Sequence, residues 1–450
     1  MDQVVIIGNG IAGVTAARHI RKMSDKKIII ISSESKYFFS RTALMYVYMG
    51  HMKLEHTQPY ENWFWEKNRI ELIQDHVTNI DTSKQQLQLQ SGNSIDYHQL
   101  IIATGSTPNK INCPGIYAKG VQGLYSQQDL SLLEQNAPDN KTCKRAVVVG
   151  GGLIGIELAE MLRSRDIPVT FLIRESSFWN SVLPEGESAM ITKHLGDHHI
   201  DIRLNTSLTE IKIDGNGHVN GIITDQNEHI DCSLVGLTIG VSPNISFLSD
   251  TAIKTNKGIL VNAYLETNIP HVFAIGDCAE LSTPQPHRRS IEAVWYVGRM
   301  MGETVAQTIC GNKTKYQPGY WFNSAKFLDI EYQTYGAVSS LRNLPDFEEQ
   351  FHWKHPKENI CITLAFHKKS QEFLGINAFG IRMRHEVCNQ WLTHKKDITY
   401  VLTHLKDANF DPEFYTQYEK AIVDSFNKKN NTNIIVKKKS WARIFNTLLS

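Results

Sequence analysis

Val4-Val5-Ile6-Ile7-Gly8-Asn9-Gly10-Ile11-Ala12-Gly13 is the stretch that decides the fold. An apolar strand runs into a GxGxxG turn, and residues 14–22 continue as a helix. A second apolar run, residues 28–31, closes with Ser32-Ser33-Glu34. Glu34 stands 21 residues after Gly13, close to the spacing at which an acid meets a ribose in dinucleotide-binding folds. Gly8, Gly10 and Gly13 let the backbone approach a pyrophosphate, whose charge the free N–H groups of a helix N-terminus can meet. Glu34 can accept hydrogen bonds from ribose hydroxyls. The plainer alternative is a βαβ unit whose glycines serve packing alone. Strand, turn, helix, strand and acid together favour the nucleotide.

The pattern recurs 142 residues later. Residues 146–149 lead into Gly150-Gly151-Gly152-Leu153-Ile154-Gly155, a helix follows to about residue 163, and residues 169–173 precede Arg174-Glu175. Each copy ends alike, the first in Ala103-Thr104-Gly105 and the second in residues 234–240, which finish at Gly240. Between helix and closure each copy carries short alternating segments with turns at Ser91-Gly92-Asn93 and Asp214-Gly215-Asn216-Gly217. Two such folds imply two dinucleotides side by side. Further on, residues 267–280 form an apolar strand ending in Gly276-Asp277, which must return to one copy and makes that domain discontinuous.

Composition bounds the rest. The chain has 450 residues, 41% hydrophobic and 21% charged, with a formal net charge of +1. That is globular and long enough for two to three domains. The balance excludes a surface wholly given to nucleic acid. Seven scattered cysteines exclude a disulfide scaffold and local CxxC chemistry. No leader-like start and no apolar run long enough to span a bilayer are read, so the expected location is the cytoplasm, with reduced thiols. His194, His198 and His199 have an i, i+4 element but no accompanying carboxylate motif. They read as a surface helix end, and no metal is expected.

On GNGIAG with Glu34, the Ala103-Thr104-Gly105 segment, GGGLIGIE, TIGVSPN and FAIGD, the chain resembles the FAD-dependent pyridine nucleotide-disulfide oxidoreductase class. These are the flavoproteins with two dinucleotide-binding domains. The likeness is to nitrite, rubredoxin and ferredoxin reductase and CoA-disulfide reductase-like members. It implies an α/β fold with two Rossmann-like domains of the glutathione-reductase kind and a small α+β C-terminal domain. The implied boundaries are 1–117 with 246–315 for FAD, 118–245 for NAD(P)H, 316–427 for an interface domain that often builds a homodimer, and 428–450 for a basic amphipathic tail.

The resemblance also implies roles. Asp277 holds the ribityl chain of FAD, and Glu157 sits near the nicotinamide; otherwise Glu157 only complements a helix dipole. Residues 290–309 form a helix capped by Ser290 and aimed at the flavin ring, with Trp295 beside the flavin or in plain core. Arg41 contacts the FAD phosphates or is a solvated arginine. The expected cofactor set is Gly8, Gly10, Gly13, Glu34, Arg41, Thr42, Val77, Ala103, Thr104, Gly105, Gly276, Asp277 and Trp295, with Gly150, Gly152, Gly155, Arg174, Glu175 and Gly240. Arg174 favours a 2′-phosphate and Glu175 a free 2′-hydroxyl, so NADH and NADPH both stay open.

The segment 37–50 bears on the electron acceptor. Thr42 stands where CoA-disulfide reductases carry their catalytic cysteine, and a hydroxyl cannot form a mixed disulfide. Arg41 and Leu44 match the Arg-Pro-x-Leu-Ser-Lys segment that many ferredoxin and rubredoxin reductases carry, while Thr42 replaces its proline and Tyr46 its lysine. Cys278 is read as inert packing. Flavin-only chemistry suits a one-electron carrier protein. The alternatives are an NADH oxidase or disulfide reductase using another thiol, and a non-enzymatic redox sensor.

Residues 428–450 contain six basic residues and no acid, so residues 1–427 carry −5. Trp441, Ile444, Phe445 and Leu448 give this tail a short amphipathic pattern suited to an acidic partner, a membrane surface or packing on a subunit.

Overall fold

Two five-stranded parallel sheets repeat one another in a computed structural model that describes residues 2–410, 413–414 and 416–437. Across the first sheet the order is Val272–Ala274, Gln99–Ile102, Gln3–Ile7, Lys27–Ser32, Ile70–Gln74. Across the second it is Val121–Gln122, Leu234–Leu237, Ala146–Val149, Val169–Ile173, Asp201–Leu204. The central strands read as unbroken apolar runs because both sheet faces are covered. The fifth strand comes from downstream in the first sheet and from upstream in the second. Each repeat also carries a three-stranded antiparallel sheet at the turns expected from the sequence.

Helix α1 (Ile11–Met23) follows the first glycine turn. Helix α2 (Gln127–Asn136) opens with a capping box between Ser126 and Asp129. Helix α3 (Leu153–Arg163) follows the second glycine turn, and α4 (Glu185–Asp197) comes next. Helix α5 (Trp295–Ile309) packs closely on α1 because Gly298 and Gly302 face Ala12 and Thr15; a Cβ on Gly302 would lie 2.5 Å from the Ala12 carbonyl. The expected Ser290 cap is not where α5 starts. The helix begins at Trp295 after an extended Val294, because the buried Arg288–Glu292 ion pair holds the preceding segment out of helix.

The chain divides into two compact units, residues 1–176 with 196–319 and residues 177–195 with 320–450. The second unit holds an antiparallel sheet in the order Phe322–Phe327, Ile330–Gly336, Phe373–Phe379, Cys361–His367, Glu348–Lys354. A tight hairpin joins Phe322–Phe327 to Ile330–Gly336, with Leu328 at φ +57° in the turn. Helices α6 (His385–Thr393), α7 (Ile398–Thr403) and α8 (Glu419–Asn430) bury Trp391, Val401 and Phe426 against Ile362, Leu364 and Phe366. Lys428 and Lys429 form the last turn of α8, and the amphipathic pattern at residues 441–449 lies outside the described residues. Among the described residues no helix is long and apolar enough to cross a membrane.

His194 is not a surface residue. It is 3% exposed, with Nε2 2.7 Å from the Asp329 carboxylate and Nδ1 3.1 Å from the Asn359 amide nitrogen.

Candidate functional site

The two glycine turns agree position for position. Gly8 and Gly150 have φ of +109° and +112°, a region that disfavours side chains, and a Cβ would meet the Ala103 carbonyl oxygen at 2.1 Å or that of Thr238 at 2.6 Å. Gly13 and Gly155 let each helix press on its turn, since a Cβ would lie 2.1 Å from the Gly8 oxygen or 2.5 Å from the Gly150 oxygen. Gly10 and Gly152 differ from these. Each is an N-cap whose helix no side chain caps, and a Cβ on either would meet nothing within 4 Å. The first and third glycines therefore serve packing, and the middle one leaves helix amides facing open space that a pyrophosphate fits.

At Gly10 that space belongs to a cavity of about 790 Å³. Gly8, Gly10, Glu34, Arg41, Thr42, Val77, Ala103, Thr104, Gly105, Gly276, Asp277 and Trp295 border it, and Gly13 lies behind the turn. The second repeat contributes Ile154 and Glu157 from α3. Gly150, Gly152, Gly155, Arg174, Glu175 and Gly240 lie outside this cavity. Arg174 is exposed and donates from Nε to Glu175 Oε1 at 3.0 Å.

Glu34 and Arg41, read separately in the sequence, meet here. The guanidinium is bidentate on the carboxylate, Nη1 to Oε1 at 3.0 Å and Nη2 to Oε2 at 2.6 Å, and lies 4.4 Å from the Tyr125 ring centre. The first amide of α2, Gln127 N, also donates to Glu34 Oε1 at 3.0 Å. Asp277 accepts from Ser106 Oγ at 3.0 Å, and burial raises its carboxyl above the usual range. Glu157 is half-buried and lies beyond the first turn of α3, which weakens the helix-dipole reading. Burial, with Glu160 close by, pushes its carboxyl up to about 7.

Thr42 is exposed at the cavity, with its hydroxyl 3.2 Å from that of Ser40. All seven cysteines are free. Cys278 is fully buried, and burial raises its thiol pKa, so it is poorly suited to nucleophilic chemistry.

Several residues here were missed from sequence. Asn9 turns its amide to the Ser35 carbonyl and accepts from Ser32 Oγ, which fixes the loop that carries Glu34. The Tyr125 hydroxyl accepts from Ser106 N at 3.1 Å. Strand Ser106–Pro108 pairs antiparallel with Val241–Pro243, joining the closing segments of the two repeats. The only local signal among these was the S-x-x-D box at Ser126, which marks the start of α2.

A family model described as pyridine nucleotide-disulphide oxidoreductase matches residues 2–302. A nitrite reductase (NAD(P)H) of Bacillus subtilis is 28% identical over 317 residues, 70% of this chain but 38% of that protein's length. An NADH-rubredoxin oxidoreductase of Clostridium acetobutylicum is 29% identical over 315 residues, 70% of this chain and 76% of the relative. A solved ferredoxin reductase from Rhodopseudomonas palustris shares the fold with a TM-score of 0.78 at 24% identity, covering 96% of this chain and 100% of that one.

Proposed function

The chain belongs to the pyridine nucleotide-disulphide oxidoreductase family, and from that premise we propose an FAD-dependent NAD(P)H oxidoreductase that passes electrons to a one-electron carrier protein of the ferredoxin or rubredoxin kind. One observation carries this reading. Glu157 of the second nucleotide fold borders the same cavity as Gly10, Glu34 and Asp277 of the first.

In this reading residues 1–117 and 246–315 hold FAD, and residues 118–245 hold NAD(P)H. The α1 amides at Gly10 meet the pyrophosphate, and Glu34, braced by Arg41, takes the adenosine ribose. Asp277 takes the ribityl hydroxyls. The equivalent cradle at Gly150, Gly152 and Gly155 serves the second dinucleotide, with Glu175 and Arg174 at its ribose. Bound flavin supplies a centre that accepts two electrons and releases them singly. Glu157 orients the nicotinamide and, when ionised, favours the positive charge that ring gains as it gives up hydride. Trp295 and the extended Val294 close the cavity at the start of α5.

The acceptor assignment rests on Thr42 and Cys278. An exposed hydroxyl replaces the expected thiol, and Cys278, next to Asp277, is buried. That favours a carrier protein over a thiol relay. Residues 316–427 as a homodimer interface, residues 428–450 as a basic tail for an acidic partner or membrane surface, and a cytoplasmic location complete the proposal.

The test is anaerobic mixing of purified flavoprotein with NADH and with NADPH, followed by reoxidation with ferredoxin, rubredoxin or dioxygen. The expected result is bleaching of flavin absorbance near 450 nm, then faster reoxidation by a carrier than by dioxygen. No bleaching with either nucleotide would refute the oxidoreductase.

A further inference from the structure

Arg165 belongs to none of the motifs, yet three segments that build the cavity converge on it. It lies just past α3, where Asp166 turns the chain at φ +57°. All five of its N–H donors are used. Nε and Nη2 donate to the Tyr48 carbonyl, Nη1 and Nη2 each reach a Glu134 carboxylate oxygen at 2.7 Å, and Nη1 also donates to the Pro138 carbonyl at 3.1 Å. The guanidinium lies 3.5 Å from the centre of the Tyr48 ring. The Tyr48 side chain is 1% exposed, and its hydroxyl donates to the Ala137 carbonyl.

Each partner segment reaches the cavity at its other end. Helix Leu44–Tyr48 brings Leu44 and Met45 to the wall just after Arg41 and Thr42. Helix α2, which carries Glu134, starts at the amide bonded to Glu34. Helix α3, with Gly152 as its N-cap, carries Ile154 and Glu157. The Leu44–Tyr48 helix lies on the flavin side of the cavity and α3 on the nicotinamide side, while α2 belongs to residues 118–245 and reaches the flavin side through its bond to Glu34.

We infer that Arg165 is a positioning residue for hydride transfer: it clamps α3 of the second nucleotide fold to the Leu44–Tyr48 helix and to α2, and so fixes how the nicotinamide wall meets the flavin wall. The inference rests on the function proposed above. Its physical basis is the sensitivity of transfer to alignment, where a displacement of about 1 Å far from the chemistry costs roughly a hundredfold. A planar fork is needed, because lysine keeps the charge but its three donors cannot reproduce the five bonds to two carbonyls and both oxygens of one carboxylate.

The test uses the holoprotein with Arg165→Met, Arg165→Lys and Glu134→Gln. The last loosens the clamp at a side chain that is 40% exposed and does not border the cavity. Stopped flow gives the limiting rate of flavin reduction and the apparent nucleotide affinity. Hydrogen exchange on flavin-free protein reads the amides of Met49, Gly50 and His51, which bond back to Met45, Val47 and Tyr46.

In Arg165→Met the limiting rate is expected to fall by about tenfold or more, with apparent affinity much less changed and the three amides exchanging faster. Glu134→Gln shifts the same readouts less, and Arg165→Lys restores only part of the rate. A limiting rate equal to wild type in both Arg165→Met and Glu134→Gln overturns the inference, whatever their melting temperatures, and leaves the proposed function standing. If wild type itself is not reduced by either nucleotide, the proposed function fails and the inference falls with it.

Discussion

Replacing Glu187 with glutamine is expected to stabilise the second unit above pH 7 and to leave it unchanged near pH 4. Glu187 lies on α4 and is 0% exposed. It sits over a row of directly paired residues that crosses all five strands of that unit's sheet: Asn323, Thr334, Asn377, Thr363 and His352. Asn377 donates to its Oε2 at 2.8 Å, and the Thr363 hydroxyl lies close by. Tyr332 and Cys361 also face it, and burial raises both above their usual pKa values, so they stay protonated. His352, beyond Thr363, is held neutral because burial, aided by Lys354 and Lys429, lowers its pKa to about 4. With uncharged groups around it, burial pushes the Glu187 carboxyl from 4.5 up to about 7. The unfolded chain releases this proton near 4.5 and the folded chain near 7. Between those values the folded state binds more protons, so stability falls as pH rises, and the loss is complete above 7. At 1.36 kcal/mol per unit the loss is about 3 kcal/mol. Glutamine removes that loss and keeps an acceptor for Asn377. Urea unfolding followed by fluorescence of the core residues Trp353 and Trp391 at pH 4.5, 6 and 8.5 reads the difference directly. A glutamine variant less stable than wild type at pH 8.5, or a difference that does not change with pH, would refute the reasoning. Either result would mean that the carboxylate is held as an anion.

Two further substitutions probe the cavity. Gly13→Ala places a methyl 2.1 Å from the Gly8 carbonyl and is expected to cost at least about 1–3 kcal/mol even without flavin, whereas Gly10→Ala meets nothing within 4 Å. In melts of flavin-free protein Gly10→Ala should match wild type, but it should release FAD more readily on dilution; equal melting temperatures for the two variants would contradict the packing argument. Glu157→Gln should flatten the pH dependence of nucleotide-driven flavin reduction. In wild type the limiting rate should rise as pH passes about 7, where the buried carboxyl ionises and stabilises the positive charge growing on the nicotinamide. A profile of the same shape in the variant would remove Glu157 from that role.

The two nucleotide folds were legible because their constraints are local. Gly8 and Gly150 are forced by positive φ, and Gly13 and Gly155 by contact with a carbonyl five residues back in the chain. What escaped was long-range. Ser290 reads as a helix cap until Glu292 is seen paired with Arg288 in the interior, which keeps the segment extended for one more turn's worth of chain. His194 reads as a surface residue until the loops carrying Asp329 and Asn359 cover it. Glu34 and Arg41 were each assigned to a ligand, and nothing in their spacing said that one would brace the other. Arg165 is the extreme case, since its importance comes from chain segments centred 117 and 31 residues away, at Tyr48 and Glu134. Glycine turns can be recognised one repeat at a time because each fold must satisfy its own backbone. The registration of two folds against each other is a property of neither alone, and the residue that sets it has no reason to lie in a motif of either.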